Sequence, residues 1–179
     1  MTTNTHTIDG LKNNVEGLVI KLQTDAKNEF EQQTEKVQSE IENLDEDDIE
    51  QFVSDKFNKL NTLFLKKSKK VEKFVLSKRP KKPVRTAEET DEEYNQKYKV
   101  YEESLGLYKS FVSWSMSMVE RLMHWLSELF DDIISFFKNL WTWIKSKIRD
   151  ISTNVREFVA KIAEKFSRLH DYLFGENNS

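Results

Sequence analysis

Residues 111–144 read FVSWSMSMVERLMHWLSELFDDIISFFKNLWTWI, and 20 of these 34 residues are apolar. The stretch contains neither proline nor glycine, and its large side chains recur three and four positions apart. That spacing is typical of one face of an α-helix. Its longest uncharged part, residues 110–119, has about half of the roughly 20 residues that a bilayer-spanning helix needs. The stretch therefore predicts an amphipathic helix and not a membrane span.

The same helical spacing continues in both directions through residues 86–174, which contain no proline and the single glycine Gly106. One helix of that length would measure about 130 Å at a rise of 1.5 Å per residue. We therefore expect at least one break. Asp, Ser, Thr and Asn side chains can cap helix ends, and they indicate three candidate breaks: residues 104–107, 126–132 and 150–154.

The first half of the chain predicts two further helices. Apolar residues from Leu11 to Leu44 form one stripe, which predicts a helix over residues 8–43. The acidic cluster at 45–48 supplies a candidate N-cap and a negative first turn for a second helix, which should end near Lys78. Pro80 and Pro83 then mark a linker. Thr86 and Glu89 form a capping-box pattern, so a third helix is expected to begin there.

Composition supports an all-helical fold. Four glycines and two prolines in 179 residues leave few turn residues for a multi-stranded sheet. We expect an all-α protein, an elongated antiparallel bundle of four to five long amphipathic helices without a β-sheet. The predicted segments are a disordered N-terminus (1–7), an acidic-to-basic helical hairpin (8–78), a basic proline linker (79–86), an aromatic-rich helical region (87–174) and a disordered tail (175–179).

Charge changes sign along the chain. The net charge is −8 over residues 1–65, +9 over 66–85, −4 over 86–109 and zero over 110–179. Antiparallel packing of the first two segments would neutralise both. Alternatively, the positive segment binds an anionic lipid surface, where each Lys or Arg contributes about 1 kcal/mol. The cations of this basic stretch are Lys66, Lys67, Lys69, Lys70, Lys73, Lys78, Arg79, Lys81, Lys82 and Arg85.

A helix over residues 129–148 would be aromatic on one side and charged on the other. Amphipathic helices of this kind lie in a lipid interface, where tryptophan is favoured. The expected lipid-anchoring residues are Trp125, Phe130, Phe136, Phe137, Trp141, Trp143 and Ile144. A wide apolar face is also typical of a helix that packs on two neighbours or on a second copy in a homo-oligomer. The sequence leaves both interpretations open.

Two short motifs lie in the basic stretch. Residues 78–82, KRPKK, have the make-up of a nuclear-import signal. Residues Pro80–Arg85, PKKPVR, fit a P-x-x-P-x-Arg ligand of SH3 domains, which predicts a protein partner at this linker. Nucleic acid is disfavoured as a partner because the flanking acidic segments repel phosphate.

No arrangement of residues points to catalysis, so we predict no catalytic, cofactor-binding or metal-binding residues and a non-enzymatic protein. The chain has no cysteine, glycine-rich phosphate loop or nucleophile elbow. Glu120, His124 and Glu128 share a helical face, but a metal there would need another ligand, and a surface histidine beside a helical neighbour explains the spacing.

These observations favour a helical protein that associates reversibly with a membrane or lipid-droplet surface. The aromatic helices would insert, the basic stretch would select anionic lipid, and opening of the helices would expose the apolar face. The expected location is cytoplasmic, peripheral at that surface, with a nuclear location as an alternative because of the KRPKK motif. The alternative function is a structural or adaptor protein, oligomeric or not, that presents the basic proline linker to a protein partner.

Overall fold

The computed structural model describes residues 4–147 and 151–175, with side chains from residue 8 onward. The helices are α1 (Asn4–Glu40), α2 (Ile49–Lys56), α3 (Asn58–Ser77), α4 (Asp91–Lys145), α5 (Ile151–Ser167) and α6 (Leu169–Phe174). Two 3-10 turns, Ile41–Asn43 and Glu46–Asp48, lie between α1 and α2. No strand occurs within the described ranges, so the all-α prediction is confirmed there.

Helix α1 follows the stripe that predicted it. Its core residues are Val15, Val19, Leu22, Ala26, Phe30 and Val37. The helix begins at Asn4, inside the segment 1–7 that the sequence predicted to be disordered. Each residue added to an existing helix gains a backbone hydrogen bond, so a helix can extend beyond its last packed side chain. Residues 1–3, and residues 176–179 of the predicted C-terminal tail, lie outside the described residues.

The second predicted helix is divided in two at Phe57. Phe57 is fully buried, and its backbone N–H donates to the carbonyl of Val53 at 3.0 Å. Helix α3 ends at Ser77, next to the predicted end at Lys78. The N-cap predicted from residues 45–48 does not form, because Asp48 precedes α2 without a side-chain capping hydrogen bond. These four acidic residues are exposed, and three of them form the second 3-10 turn.

Helix α4 is continuous over 55 residues, so the breaks predicted at residues 104–107 and 126–132 are wrong. Polar residues in both segments remain in the helix because the apolar stripe around them continues without interruption. The helix ends at Lys145, and two residues later Lys147 adopts a left-handed backbone conformation with φ of 57°. This break precedes the third candidate, 150–154, of which residues 151–154 belong to α5 and residue 150 lies outside the described residues.

Helix α4 also begins later than predicted. Thr90 is its N-cap: the Thr90 hydroxyl accepts from the Glu93 amide at 3.1 Å, and Glu93 accepts from the Thr90 amide at 3.4 Å. The residues predicted to do this, Thr86 and Glu89, form an isolated turn in which Glu89 accepts from the Thr86 amide at 2.8 Å. Thr90 is favoured as the start because three acidic residues follow it in the first helical turn.

The helices meet around a core of aromatic rings. Phe30 of α1 lies 5.7 Å from Phe57, between ring centroids, and 5.8 Å from Phe158 of α5. Phe57 lies 5.8 Å from Phe137 of α4. Helix α1 contacts all of α2 to α6. The arrangement as one elongated antiparallel bundle of four to five helices stays a prediction at this point.

The beginning of α4 lies outside this core. Residues 91–107, here called the overhang, contain no buried side chain, and the first buried residue of α4 is Tyr108. At 1.5 Å per residue the overhang is about 25 Å long. The segment between α3 and α4, residues 78–90, runs beside it and contributes Arg85, whose guanidinium lies 5.8 Å from the Tyr94 ring centroid. The first turns of the overhang thus pack on the linker, whereas Leu105 near its other end packs against the core.

Candidate functional site

The basic stretch occupies the second half of α3 and the linker that follows. Nine of its ten cations are exposed. Only Arg85 forms an ion pair within the described residues, with Asp91 at the start of α4. The acidic residues of α1 pair instead with cations that precede the stretch: Lys56 with Glu40 at 3.1 Å and Lys59 with Glu29 at 3.3 Å. Antiparallel packing alone suggested that ion pairs to α1 would neutralise the basic stretch. Among the described residues, no ion pair joins the two.

Lys67 is the exception among the predicted basic surface residues. It is 8 % exposed, so it belongs to the interior side of α3 rather than to the basic surface. Burial lowers its pKa below the ordinary value, and the neighbouring cations Lys70 and Lys21 lower it further, while Asp25 opposes them. The sequence could not separate Lys67 from its neighbours by composition. Its position four residues before the buried Val71 was the available signal.

The linker is held to the overhang by polar contacts. The Lys97 ammonium lies 2.6 Å from Oε2 of Glu89, and the Thr86 backbone amide donates to Oε1 of Glu89 at 2.8 Å. The hydrogen bond from Lys97, followed by that from the Thr86 backbone, lowers the pKa of Glu89 to about 2. The side chain of Val84 is 81 % exposed. Within the SH3-type motif, Arg85 is thus engaged by Asp91 and Tyr94, whereas Val84 extends into solvent.

The predicted lipid-anchoring residues all lie in or against the core. Two of them, Trp125 and Phe137, are buried, and five are half-buried: Phe130, Phe136, Trp141, Trp143 and Ile144. None is exposed, so in this conformation the aromatic face is covered by protein.

Aromatic contacts explain why this face is covered. The Phe136 ring stacks on Phe158 of α5, with ring centroids 3.8 Å apart and an interplanar angle of 2°. Trp125 lies between α3 and α5: it stacks on Phe64 with ring centroids 5.9 Å apart, and its ring centroid lies 5.3 Å from that of Phe166 in a tilted contact. The aromatic side chains of α4 therefore join it to the helices on both sides.

The end of α4 is fixed to the turn after α1 by two hydrogen bonds. The Trp141 indole Nε1 donates to the backbone carbonyl of Leu44 at 2.9 Å, and Lys145 Nζ donates to the carbonyl of Glu42 at 2.9 Å. The Lys145 ammonium also lies 5.6 Å from the Trp141 ring centroid, a cation–π contact. Exposure of Trp141 to lipid would require both hydrogen bonds to break.

The two histidines whose side chains the structure describes, His124 and His170, each lie beside a carboxylate. His124 Nε2 lies 3.1 Å from Glu128, and both side chains are about two-thirds exposed. His170 lies 3.7 Å from Glu16 and from Asp171. No cluster of three metal-ligating side chains occurs among the residues that the structure describes. His6 precedes the first described side chain.

An apolar groove that was not predicted from the sequence lies between α3 and α4. The groove has a volume of about 580 Å³, and its rim carries the exposed side chains of Leu65, Leu76 and Met116. At its base, Ser115 is 2 % exposed and its hydroxyl has no hydrogen-bond partner. Leu65 and Leu76 lie beside the stripe that packs α3 into the core, and this second apolar row was the signal available in the sequence.

Comparison with protein-family models, with curated proteins and with solved structures finds no match to this chain. Among the described residues, no helix combines the length and the apolar character that crossing a bilayer requires. The basic stretch, the linker and the apolar surfaces are therefore the features that bear on function.

Proposed function

We propose that this chain is a non-enzymatic amphipathic-helical protein that associates reversibly with an anionic lipid surface, a membrane or a lipid droplet. The observation that supports it most strongly is the basic stretch, whose cations other than Arg85 lack an ion-pair partner among the described residues. A surface of this charge gains about 1 kcal/mol for each Lys or Arg near an anionic leaflet. The proposed location is cytoplasmic and peripheral, with the KRPKK motif as the basis of a nuclear alternative.

The fold that we propose for this function is an elongated antiparallel bundle of four to five amphipathic helices. Its support is a pair of hydrogen bonds that join segments far apart in the chain. The His170 amide near the C-terminus donates to Gln23 of α1 at 3.1 Å, and Trp141 at the end of α4 donates to Leu44 beyond the end of α1. Such a bundle covers its apolar faces away from lipid.

Association then has two steps. In the first, the closed protein docks through exposed cations such as Lys66, Lys70 and Lys73. In the second, α4 separates from its neighbours and its aromatic residues enter the interface, which requires the Trp141–Leu44 hydrogen bond to break. The gain from burying the aromatic face in lipid must exceed the loss of its contacts in the core.

Vesicles that contain brominated lipid test both steps, because bromine quenches tryptophan fluorescence only at close range. We expect binding to anionic vesicles, lost at high salt, together with quenching of the tryptophans of α4. Binding without quenching would contradict the second step and leave electrostatic docking alone. No binding to anionic vesicles at low salt would contradict the proposal as a whole.

The alternative function is an adaptor that presents Pro80–Arg85 to a protein partner. Its support is the non-helical, exposed linker, in which Val84 is 81 % exposed. An SH3 domain would have to draw Arg85 away from Asp91 and Tyr94, at a small cost because the ion pair is exposed. Replacement of Pro80 and Pro83 by alanine should abolish capture of such a partner, and unchanged capture would exclude the linker as its site.

A further inference from the structure

Ser77 is an exposed hydroxyl residue inside the basic stretch, at the end of α3. Residues 73–85 contain six cations and no carboxylate. The Ser77 hydroxyl donates to the Phe74 carbonyl at 2.6 Å, and the Lys78 ammonium lies 5.3 Å from the Phe74 ring centroid. The hydroxyl therefore faces solvent among cations, where an enzyme that transfers a phosphoryl group can reach it.

The backbone around Ser77 suits recognition by a protein kinase, which binds the residues around its acceptor in an extended conformation. Ser77 is the last residue of α3, and the segment 78–90 that follows contains no helix. Only the final turn of α3 has to open, and helix ends open at little cost in free energy. The exposed cations Lys78 and Arg79 come directly after the acceptor and would bind an acidic substrate groove.

Two other hydroxyl residues lie in the basic stretch or next to it, and neither suits such a kinase. Ser68 is half-buried in the middle of α3, and its hydroxyl contacts the Met123 sulfur of α4 at 3.7 Å. Its modification would require α3 to leave α4. Thr86 is exposed, but Glu88 and Glu89 follow it, and its amide donates to Glu89 at 2.8 Å. Ser77 alone combines exposure, a helix end and purely basic surroundings.

We propose that Ser77 is phosphorylated by a serine kinase that selects basic substrates, and that the phosphate releases the protein from anionic lipid. The second part rests on the lipid association proposed above. In the transfer, Oγ of Ser77 forms a bond to the γ-phosphorus of a nucleoside triphosphate, and the bond from that phosphorus to the bridging oxygen breaks. The nucleoside diphosphate leaves, and the hydroxyl proton passes to a carboxylate of the kinase and then to solvent.

The phosphate changes the charge of the basic stretch directly. It carries a charge of about −2 at neutral pH, so it offsets about two of the exposed cations. Lys73 lies one helical turn before Ser77, within reach of the new phosphate oxygens. A polybasic surface that loses this much positive charge is released from an anionic leaflet. The ionised phosphoserine also has no proton to donate to the Phe74 carbonyl, so the last turn of α3 should loosen.

Phosphorylation of the folded full chain by the catalytic domain of protein kinase C, which selects cations after the acceptor, tests the site itself. Tandem mass spectrometry should locate the phosphate on Ser77. Ser77→Ala should lower the initial rate at least about tenfold, because the half-buried Ser68 becomes available only when the structure opens. Ser68→Ala is the matched control and should leave the rate unchanged. An unchanged rate in Ser77→Ala, or phosphate mainly on another residue, would overturn the site.

Phosphoserine inserted at a single position during translation tests the release from lipid. Phosphoserine at position 77 should weaken co-flotation with vesicles of phosphatidylcholine and phosphatidylserine about thirtyfold, which corresponds to the loss of about two cation contributions. Phosphoserine at position 39 is the matched control. Ser39 is also exposed near a helix end, and its hydroxyl donates to the Lys36 carbonyl three residues earlier at 2.8 Å, but it lies outside the basic stretch.

The results separate this inference from the proposed function. Strong binding of the unmodified chain, weakened by the phosphate at position 77 and little changed by the one at position 39, would support both. Binding that neither phosphate weakens, or that both weaken equally, would overturn the release and leave lipid association in place. No binding of the unmodified chain to anionic vesicles would overturn the proposed function, and the release with it.

Discussion

The indole nitrogen of Trp141 donates to the backbone carbonyl of Leu44, 97 positions earlier in the chain, at 2.9 Å. This hydrogen bond joins the end of α4 to the turn that follows α1. It satisfies a carbonyl that no helix pairs, and it gives the tryptophan a defined role in the closed protein. A residue that the sequence marks as a lipid anchor thus also stabilises the conformation in which its ring packs against the core.

Trp141→Phe should lower the free energy of unfolding by about 1 to 2 kcal/mol. The phenyl ring keeps part of the packing, but the Leu44 carbonyl loses its donor. Urea denaturation followed by circular dichroism measures the change. The control is Trp143→Phe: Trp143 packs edge-on against Phe136 with centroids 5.9 Å apart, and its replacement should cost less. An equal loss in both variants would show that the hydrogen bond contributes nothing beyond ring packing.

Lys67→Met should stabilise the protein near neutral pH. Burial and the cations Lys70 and Lys21 lower the pKa of Lys67, so its charged form is less favourable in the folded chain than in the unfolded one. The native protein should accordingly gain stability as the pH rises through the lowered pKa toward 10.5. Lys70→Met, at an exposed position of the same helix, should change stability by less than about 0.5 kcal/mol. Destabilisation by Lys67→Met would contradict this account.

The turn that precedes α4 should depend on pH through Glu89. The pKa of Glu89 is lowered from 4.5 to about 2. The stability that the ionised carboxylate gives to this turn is therefore complete above pH 4.5 and is lost as the pH falls through about 2. Carbon-13 NMR of the Glu89 carboxyl measures the titration midpoint. In Lys97→Met the midpoint should rise toward 4.5, since Lys97 is the main cause of the shift. A midpoint near 4.5 in the unsubstituted chain would refute the contact.

Thr90→Ala should loosen the first turn of α4 without unfolding the protein, because the overhang contains no buried side chain. The substitution removes the hydroxyl that accepts from the Glu93 amide. Loss of such an N-cap lowers the stability of the helix end by about 1 kcal/mol. Hydrogen exchange at Glu93 should become about fivefold faster. Thr86→Ala should leave that amide unchanged, because Thr86 lies in the separate turn with Glu89. The opposite ranking of the two variants would place the start of the helix at Thr86.

Much of the fold follows from residue spacing. The stripe of α1, the end of α3 near Lys78 and the proline linker were all predictable, since each depends on local periodicity or on proline chemistry. The start of α4 was not, because Thr86 with Glu89 and Thr90 with Glu93 carry the same capping pattern. The break after Lys145 was missed because it occurs at a lysine in a left-handed conformation, with no glycine to mark it.

The candidate site was less predictable than the fold. Amphipathicity gives the width of an apolar face but not what covers it, and Phe136 stacks on Phe158, more than 20 residues away. The basic stretch was visible as a run of lysines, but the lack of ion pairs from α1 depends on the register between two helices. The groove between α3 and α4 likewise exists only once those helices lie side by side.

The most direct test of lipid association is co-flotation of two charge-matched variants with anionic vesicles. One replaces Lys66, Lys70 and Lys73 by glutamine, and the other replaces three exposed lysines outside the basic stretch, Lys36, Lys109 and Lys161. The account predicts about a hundredfold weaker binding for the first variant and a much smaller change for the second, with negligible binding of either to neutral vesicles at high salt. Equal binding of the two variants would contradict the claim that the basic stretch is the lipid-binding surface.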